Sequence, residues 1–460
     1  MVSVVGRFRP WILTGVTFVL ASALGCGNTY RSIVTDIPPV QPAPQPEKEA
    51  LVISCGTGQA TTSAISIYQT CNNPGDIGLG SIVDFSGDSV LIRLNLGNGP
   101  RWLALNGFGT SAYTANADGT INTFDISTTV ETNKITTSTL LPNAQPTTLL
   151  AQYAGFLYVN EPGRNAIAVM SGDPEAVQLE IPVTANPVNL VGSYESPAGL
   201  APNQRIYAIS QGPNATPPTC TAAAGNGSIT AIETATDTIS AVIPAGICPI
   251  YGIMSHDNRR TFILNQVSGT ITVIDSEQNQ LDLNPNNPNN PNAPNFRNGT
   301  ITLPAGPNGL TPQPVWVDMY NSGSILAVAS AQSNTLTLIN VSLDSFGNDS
   351  PNFGQIIATI PVGANPTSVS VLQDGTRAYV ANHDDGTVSS VSLVSNQVLQ
   401  TIPVAGHPIS IAATTGTPTG KVYVVSPDSN ILTIIRTDND TISNSLVMTG
   451  TGIQVRVTAP

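Results

Sequence analysis

The 460-residue sequence has little charge and few aromatics: Asp, Glu, Lys and Arg make 10% of it, and Phe, Trp and Tyr 5%. Good helix formers such as Glu and Lys are scarce, and no long segment spaces its apolar residues at i, i+3, i+4, i+7. Helix is therefore expected to be minor. None of the five cysteines stands in a Cys-x-x-Cys pair, which excludes a zinc ribbon and a haem attachment of the Cys-x-x-Cys-His type. Only three histidines occur, at 256, 383 and 407. There is no Gly-x-Ser-x-Gly elbow and no phosphate-binding loop. The formal charge of −13 repels a phosphate backbone, so no nucleic-acid partner is expected. The acidic residues are spread through the chain and read as a solvated surface.

What is present is turn chemistry and short apolar runs, with 40 Gly and 37 Pro among abundant Thr, Asn and Ser. Residues 1–26 carry Arg7 and Arg9, the apolar run Trp11 to Leu24, then Gly25 and Cys26, the layout of an export signal. That run falls short of the ~20 apolar residues of a membrane-spanning helix. Ser22-Ala23-Leu24-Gly25-Cys26 resembles the lipobox of bacterial lipoproteins, which implies acylation of Cys26; ordinary cleavage beside an incidental cysteine is the alternative. Gly27 and Asn28 lack the aspartate that resembles an inner-membrane retention signal, so an outer-membrane or cell-surface address is expected, with the periplasmic face as the alternative. Residues 27–49 hold prolines at 38, 39, 42, 44 and 46 and read as an extended tether, membrane contact being through lipid alone.

From 50 to 460 a single repeat takes over. Its clearest stretch, Ala378 to Pro408, belongs to a unit with strands at Ser368–Leu372, Ala378–Ala381, Thr387–Leu393 and Gln397–Val404 and turns at Asp374-Gly375, Asp385-Gly386 and Ser395-Asn396. Aligned on Tyr379, the copies fall at Leu51, Tyr113, Tyr158, Tyr207, Phe262, Leu326, Tyr379 and Tyr423. A four-stranded unit of about 40 to 45 residues is what a propeller blade requires. The runs AYVAN, GTVSSVS and VLQTIPV followed by Gly-x-Pro resemble the YVTN-type β-propeller repeats of bacterial surface-layer and secreted proteins. The resemblance implies an all-β closed propeller of four-stranded antiparallel blades and supplies no chemistry. Ile453 to Thr458 reads as an inner strand with nothing behind it, whereas Leu51 begins a unit with no inner strand in front. The two ends complete one blade between them. Eight blades are expected, or seven if the first unit is an appendage.

With strands A to D alternating in direction, the B–C and D–A loops share one face of the ring. Cys55 and Cys71 lie in one B–C insertion, and Cys220 and Cys248 lie in a B–C and a D–A loop of another unit, so the expected disulfides are Cys55–Cys71 and Cys220–Cys248. The Asn/Pro run Leu281 to Asn298 interrupts a C–D connection and reads as a spacer. His383 and His407 fall on the same face in adjoining units, so a two-histidine ligand site with Asp384 or Asp385 is geometrically conceivable, although a metal site ordinarily takes three or four ligands. Solvated loop histidines are the plainer reading, and His256 falls on the opposite face. Trp102 and Trp316 sit in inner strands beside the channel, for core packing or, more sharply, for stacking on a bound sugar.

These features point first to a monomeric, non-catalytic binding or structural propeller at the cell envelope, without metal or cofactor, whose partner is an envelope protein or glycan. A periplasmic or surface hydrolase of the lactonase-like propeller kind is the runner-up, and a quinone-dependent redox propeller stands third. Three or more ionisable side chains gathered at the channel would favour an enzyme.

Overall fold

The computed structural model describes residues 48–458 apart from 57–70, 72, 74, 153–154, 193–204, 217–218, 284–297, 321–322, 347 and 415–418. The expected export signal with Cys26, all but the last two residues of the expected tether and most of the Asn/Pro run lie outside the described residues. Lys48 begins the compact unit.

Alternating apolar residues punctuated by Asp-Gly and Asn turns give hairpins, and four successive strands make each blade. In blade 7 these are Pro366–Val371, Arg377–Asn382, Thr387–Ser392 and Gln397–Pro403, paired antiparallel in that order. Blades 2 to 6 occupy residues 100–139, 149–182, 187–247, 249–302 and 314–361, and blade 8 residues 410–447. In blade 5 the outer strand is split into Gln280–Leu281 and Thr300–Thr302, which flank the Asn/Pro run. Blade 1 is built from both ends of the chain: Glu49–Cys55, Ile77–Asp84 and Ser89–Asn98 take Thr451–Val457 as their inner strand. The fold is thus all-β, an eight-bladed β-propeller. A seven-residue α-helix, Ile126–Thr132, is appended to blade 2.

Burial falls from the axis outwards. The second strands are buried along almost their whole length, as in Arg377–Asn382, while the outer strand Gln397–Pro403 alternates between half-buried and exposed. Two features of the repeat have direct packing reasons. The Gly before the connection to the next blade lies so close to the Asn that ends the second strand that a Cβ on Gly363 would stand 2.6 Å from Asn382 Cγ. The repeated Tyr is a tie between blades. The buried hydroxyls of Tyr158, Tyr207 and Tyr379 donate to Asp237, Asn279 and Asp440, each in the C–D turn of the following blade. Those acceptors adopt left-handed φ of about 52° to 54°, a conformation that Asp and Asn tolerate.

Strand register corrects one alignment. In blade 6 Asp318 pairs with Ala327, as Ser370 pairs with Tyr379 in blade 7. The Tyr position is therefore Ala327 rather than Leu326; an unbroken apolar run offers no polar residue to set the phase.

Both expected disulfides are formed, Cys55–Cys71 and Cys220–Cys248. They mark an oxidising, exported environment. Among the described residues no helix is long and apolar enough to cross a membrane.

Tyr379→Phe is expected to lower stability by about 1 kcal/mol, since Asp440 keeps its bonds to Arg377 and Ser390 while a buried hydrogen bond is lost. Urea unfolding of the two proteins checks this, and an unchanged midpoint would remove the tie from the account.

Candidate functional site

Eight inner strands line the bore, and each presents equivalent residues at equivalent depth. One layer comprises the residues that pair with the position two residues after the Tyr position of the second strand, among them Trp102, Tyr251, Trp316, Ser368 and Gln454. Trp102 in blade 2 and Trp316 in blade 6 stand four blades apart, yet their ring centroids are 6.4 Å from each other, so they meet across the axis. Tyr251 stacks on Trp316 at 4.1 Å. Two residues further along the strands, the residues facing the Tyr position form a second layer. It includes Arg456 in blade 1, Asp318 in blade 6 and Ser370 in blade 7, with Ala104, Leu150, Val191 and Ile253 on the other side.

Above the aromatic layer is a cavity of about 460 Å³ that opens toward the A–B turns, with Asn106, His256 and Gln373 among its lining residues. The Arg456 guanidinium projects into it, 5.4 Å from the Trp102 ring centre and 5.5 Å from that of Trp316. A cation held over an aromatic face within about 6 Å gains about 0.5–2 kcal/mol, most when water is excluded. Among the described residues Arg456 has no ion-pair partner and no hydrogen-bond acceptor. Burial works against its charge, while Tyr251 and Asp318 support it; a guanidinium stays protonated regardless. The cavity therefore holds a half-buried guanidinium over aromatic rings, with the Asp318 carboxyl as the nearby charge that supports it.

Asp318 is differently placed. Burial pushes its carboxyl up to about 6, against the Val371 and Met319 main-chain N–H groups and the Arg456 charge. Its two oxygens accept those N–H groups at 2.8 and 2.9 Å. It thereby ties blade 6 to blade 7, as Ser368 and Ser370 tie blade 7 to blade 8 and Gln454 ties blade 1 to blade 2. Burial pushes the Tyr251 phenol up to about 12 and lowers the His256 imidazole.

The two tryptophans expected beside the channel are there; Trp316 is stacked by Tyr251, and Arg456 lies over both indole rings. Sequence reading missed Tyr251, Asp318 and Arg456. The available signal was a charged residue inside an inner strand, in PVWVDM and IQVRV.

His383 and His407 lie on the opposite face of the ring, their ring centroids 5.3 Å apart. Asp384 and Asp385, considered as co-ligands, have structural partners: Asp384 accepts from His383 Nδ1 at 2.6 Å and from Asn365, and Asp385 accepts the Ala364 N–H. Burial opposes the Asp384 charge, yet the His383 and Asn365 bonds hold its carboxyl below the usual value.

No family model matches the sequence, and no curated protein matches it either. Solved structures do match in shape. Apo AztD from Citrobacter koseri is similar at a TM-score of 0.54 and 11% identity, covering 89% of this chain and 98% of AztD. Sqt1 from Saccharomyces cerevisiae also scores 0.54 at 11% identity, over 76% of this chain and 86% of its own. A streptogramin B lyase scores 0.47 at 14% identity, over 71% and 90%. The likeness is one of fold. AztD and the lyase are β-propellers, and at such identities neither a ligand nor a reaction follows.

Because the folded carboxyl of Asp318 sits at about 6, above its ordinary 3.8, folding raises its proton affinity. Its contribution to stability is present below pH ~4 and is lost as pH rises through ~6. Relative to Asp318→Asn, which mimics the protonated acid, the wild type is expected to lose about 3 kcal/mol between pH 4 and pH 7. Denaturant unfolding across that range checks it; a constant difference would refute the shift.

Proposed function

We propose that the protein is an exported, lipid-anchored propeller with a non-catalytic binding role at the cell envelope, and that the channel cavity is its ligand site. The occupant is a small carboxylate- or phosphate-bearing molecule, or an acidic group of an envelope glycan or protein. The observation that carries this is Arg456, a guanidinium with no ion pair or hydrogen-bond acceptor among the described residues, in a cavity walled by Trp102, Trp316 and Tyr251. Its unengaged N–H groups can take an entering carboxylate or phosphate in bidentate geometry. The sequence of Cys26 and the proline-rich tether support the anchored address.

A second reading, a hydrolase, is favoured by one observation: Asp318, Arg456, Tyr251 and His256 all reach the cavity, and a carboxyl near 6 is suited to general-base work. Binding is preferred because both Asp318 oxygens are engaged by main-chain donors and Tyr251 is engaged in stacking.

Apart from Trp11 in the leader, Trp102 and Trp316 are the only tryptophans, so the fluorescence of the mature protein reports on the cavity. Titration with phosphate, benzoate and glucuronate is expected to give a saturable change with at least one of them, weakened at least tenfold in Arg456→Gln and partly restored in Arg456→Lys. No saturable change with any anion, or an unaffected Arg456→Gln, defeats the binding reading. Ester or lactone turnover that Asp318→Asn abolishes while anion binding persists would establish the hydrolase instead. For the anchor, Cys26→Ser is expected to move the protein from the membrane to the soluble fraction of expressing cells; an unchanged distribution rejects lipidation.

A further inference from the structure

The connection between blades 7 and 8 departs from its counterparts. In the other connections the residue before the proline has positive φ, as at Asn186, Cys248, Gln313 and Asn365, with values of 56°, 57°, 49° and 54°. Before Pro408 the positive φ, 72°, moves one residue earlier to Gly406. Glycine is required there, since an added Cβ would stand 2.4 Å from Asp428 Oδ1. The shift frees His407 to engage Asp428 twice, donating its main-chain N–H to Oδ1 at 2.8 Å and bonding through Nδ1 to Oδ2 at 2.5 Å.

His383 occupies a position whose main-chain bond to the preceding connection recurs at Gln211, Gln266 and Ala331, so the backbone there is common to the repeat and the imidazole is particular to this blade. Its Nδ1 is bonded to Asp384 at 2.6 Å. His383 is 8% exposed, and its Nε2 is buried with no hydrogen-bond partner. The His407 side chain is half exposed. Each imidazole thus carries a carboxylate on Nδ1, which places the proton there and leaves the lone pair on Nε2, the arrangement found behind metal-bound histidines.

We propose that His383 and His407 form a two-imidazole binding site for a first-row divalent transition ion at the seam of blades 7 and 8, with Asp384 and Asp428 orienting the rings. Two imidazoles that share a tetrahedral ion at ~2.1 Å have ring centres about 5 Å apart, and the observed separation is 5.3 Å. Among the described residues no three His, Cys, Asp or Glu side chains converge on one point, so water fills the remaining positions through the exposed side at His407. Imidazole donors favour zinc, copper, nickel and cobalt over magnesium and calcium. The site lies on the face opposite the channel mouth and stands independently of the anion reading.

The repeat itself supplies conservative variants. His383→Gln installs the residue that blades 4 and 5 carry at that position, and His407→Asn the residue found before Pro187 and Pro366. Co²⁺ titration of the full mature chain, followed by visible d–d absorption, is expected to show one ion per chain, displaced by Zn²⁺. Affinity should fall at least tenfold in each histidine variant and about 10- to 100-fold in Asp428→Asn, which keeps both imidazoles but loses the orienting carboxylate. Thermal melts of the metal-free variants matching that of the wild type show that the fold is retained. A wild type that takes up no stoichiometric Co²⁺, or histidine variants that bind it equally well, overturns the proposal.

Discussion

The inner strand Thr451–Val457 enters a blade whose other three strands come from the opposite end of the chain, and its antiparallel bonds to Glu49–Cys55 remove the two edges that an open array would expose. Thr458 adds a further clasp, exchanging hydrogen bonds with Glu49 through its main chain and hydroxyl. Closure sets eight inner strands around one axis at one register, so that residues distant in sequence share a layer. The same strand brings Arg456. Ring closure and completion of the cavity are therefore one structural event.

Between blades, cohesion comes from a small set of polar ties laid over apolar packing. Near the axis, Gln454, Asp318, Ser368 and Ser370 accept main-chain N–H groups of the following blade's inner strand. Further out, the Tyr hydroxyls of blades 3, 4 and 7 reach the C–D turns of their neighbours. Both kinds of tie satisfy groups that would otherwise be buried unpaired, at a cost of about 1–3 kcal/mol each. Asp318 shows how such a tie differs from a catalytic group: its raised pKa is produced by burial, and its oxygens are held by backbone donors. Arg456 has no such hydrogen bonds, and that contrast underlies the proposal that it receives a ligand.

Much of the architecture was legible because turn residues and alternation repeat with little ambiguity. Asp374-Gly375, Asp385-Gly386 and Ser395-Asn396 bounded the strands of blade 7 within two residues of their observed ends, and the incomplete units at the two termini foretold the shared blade. Cysteine positions on one face gave both disulfides. Legibility failed where polarity did: ILAVAS in blade 6 contains no Tyr or Asn to set its phase, and the register slipped by one residue. At the candidate sites the sequence offered residues without roles. Asp384 was weighed as a ligand and is hydrogen-bonded to His383 and Asn365, whereas Asp428, 21 residues beyond His407, went unnoticed because nothing local joins them.

Local pattern determined the strand class and the thiol pairing and favoured eight blades over seven, since each depends on alternation, on turn residues or on neighbours within one unit. Tertiary structure alone decided that Trp102 and Trp316 meet across the axis, that Arg456 lies over both and that two carboxylates stand behind His383 and His407. The reason is geometric. Side-chain contacts across a closed ring depend on depth and blade number, which a sequence spells out only after its register and closure are settled.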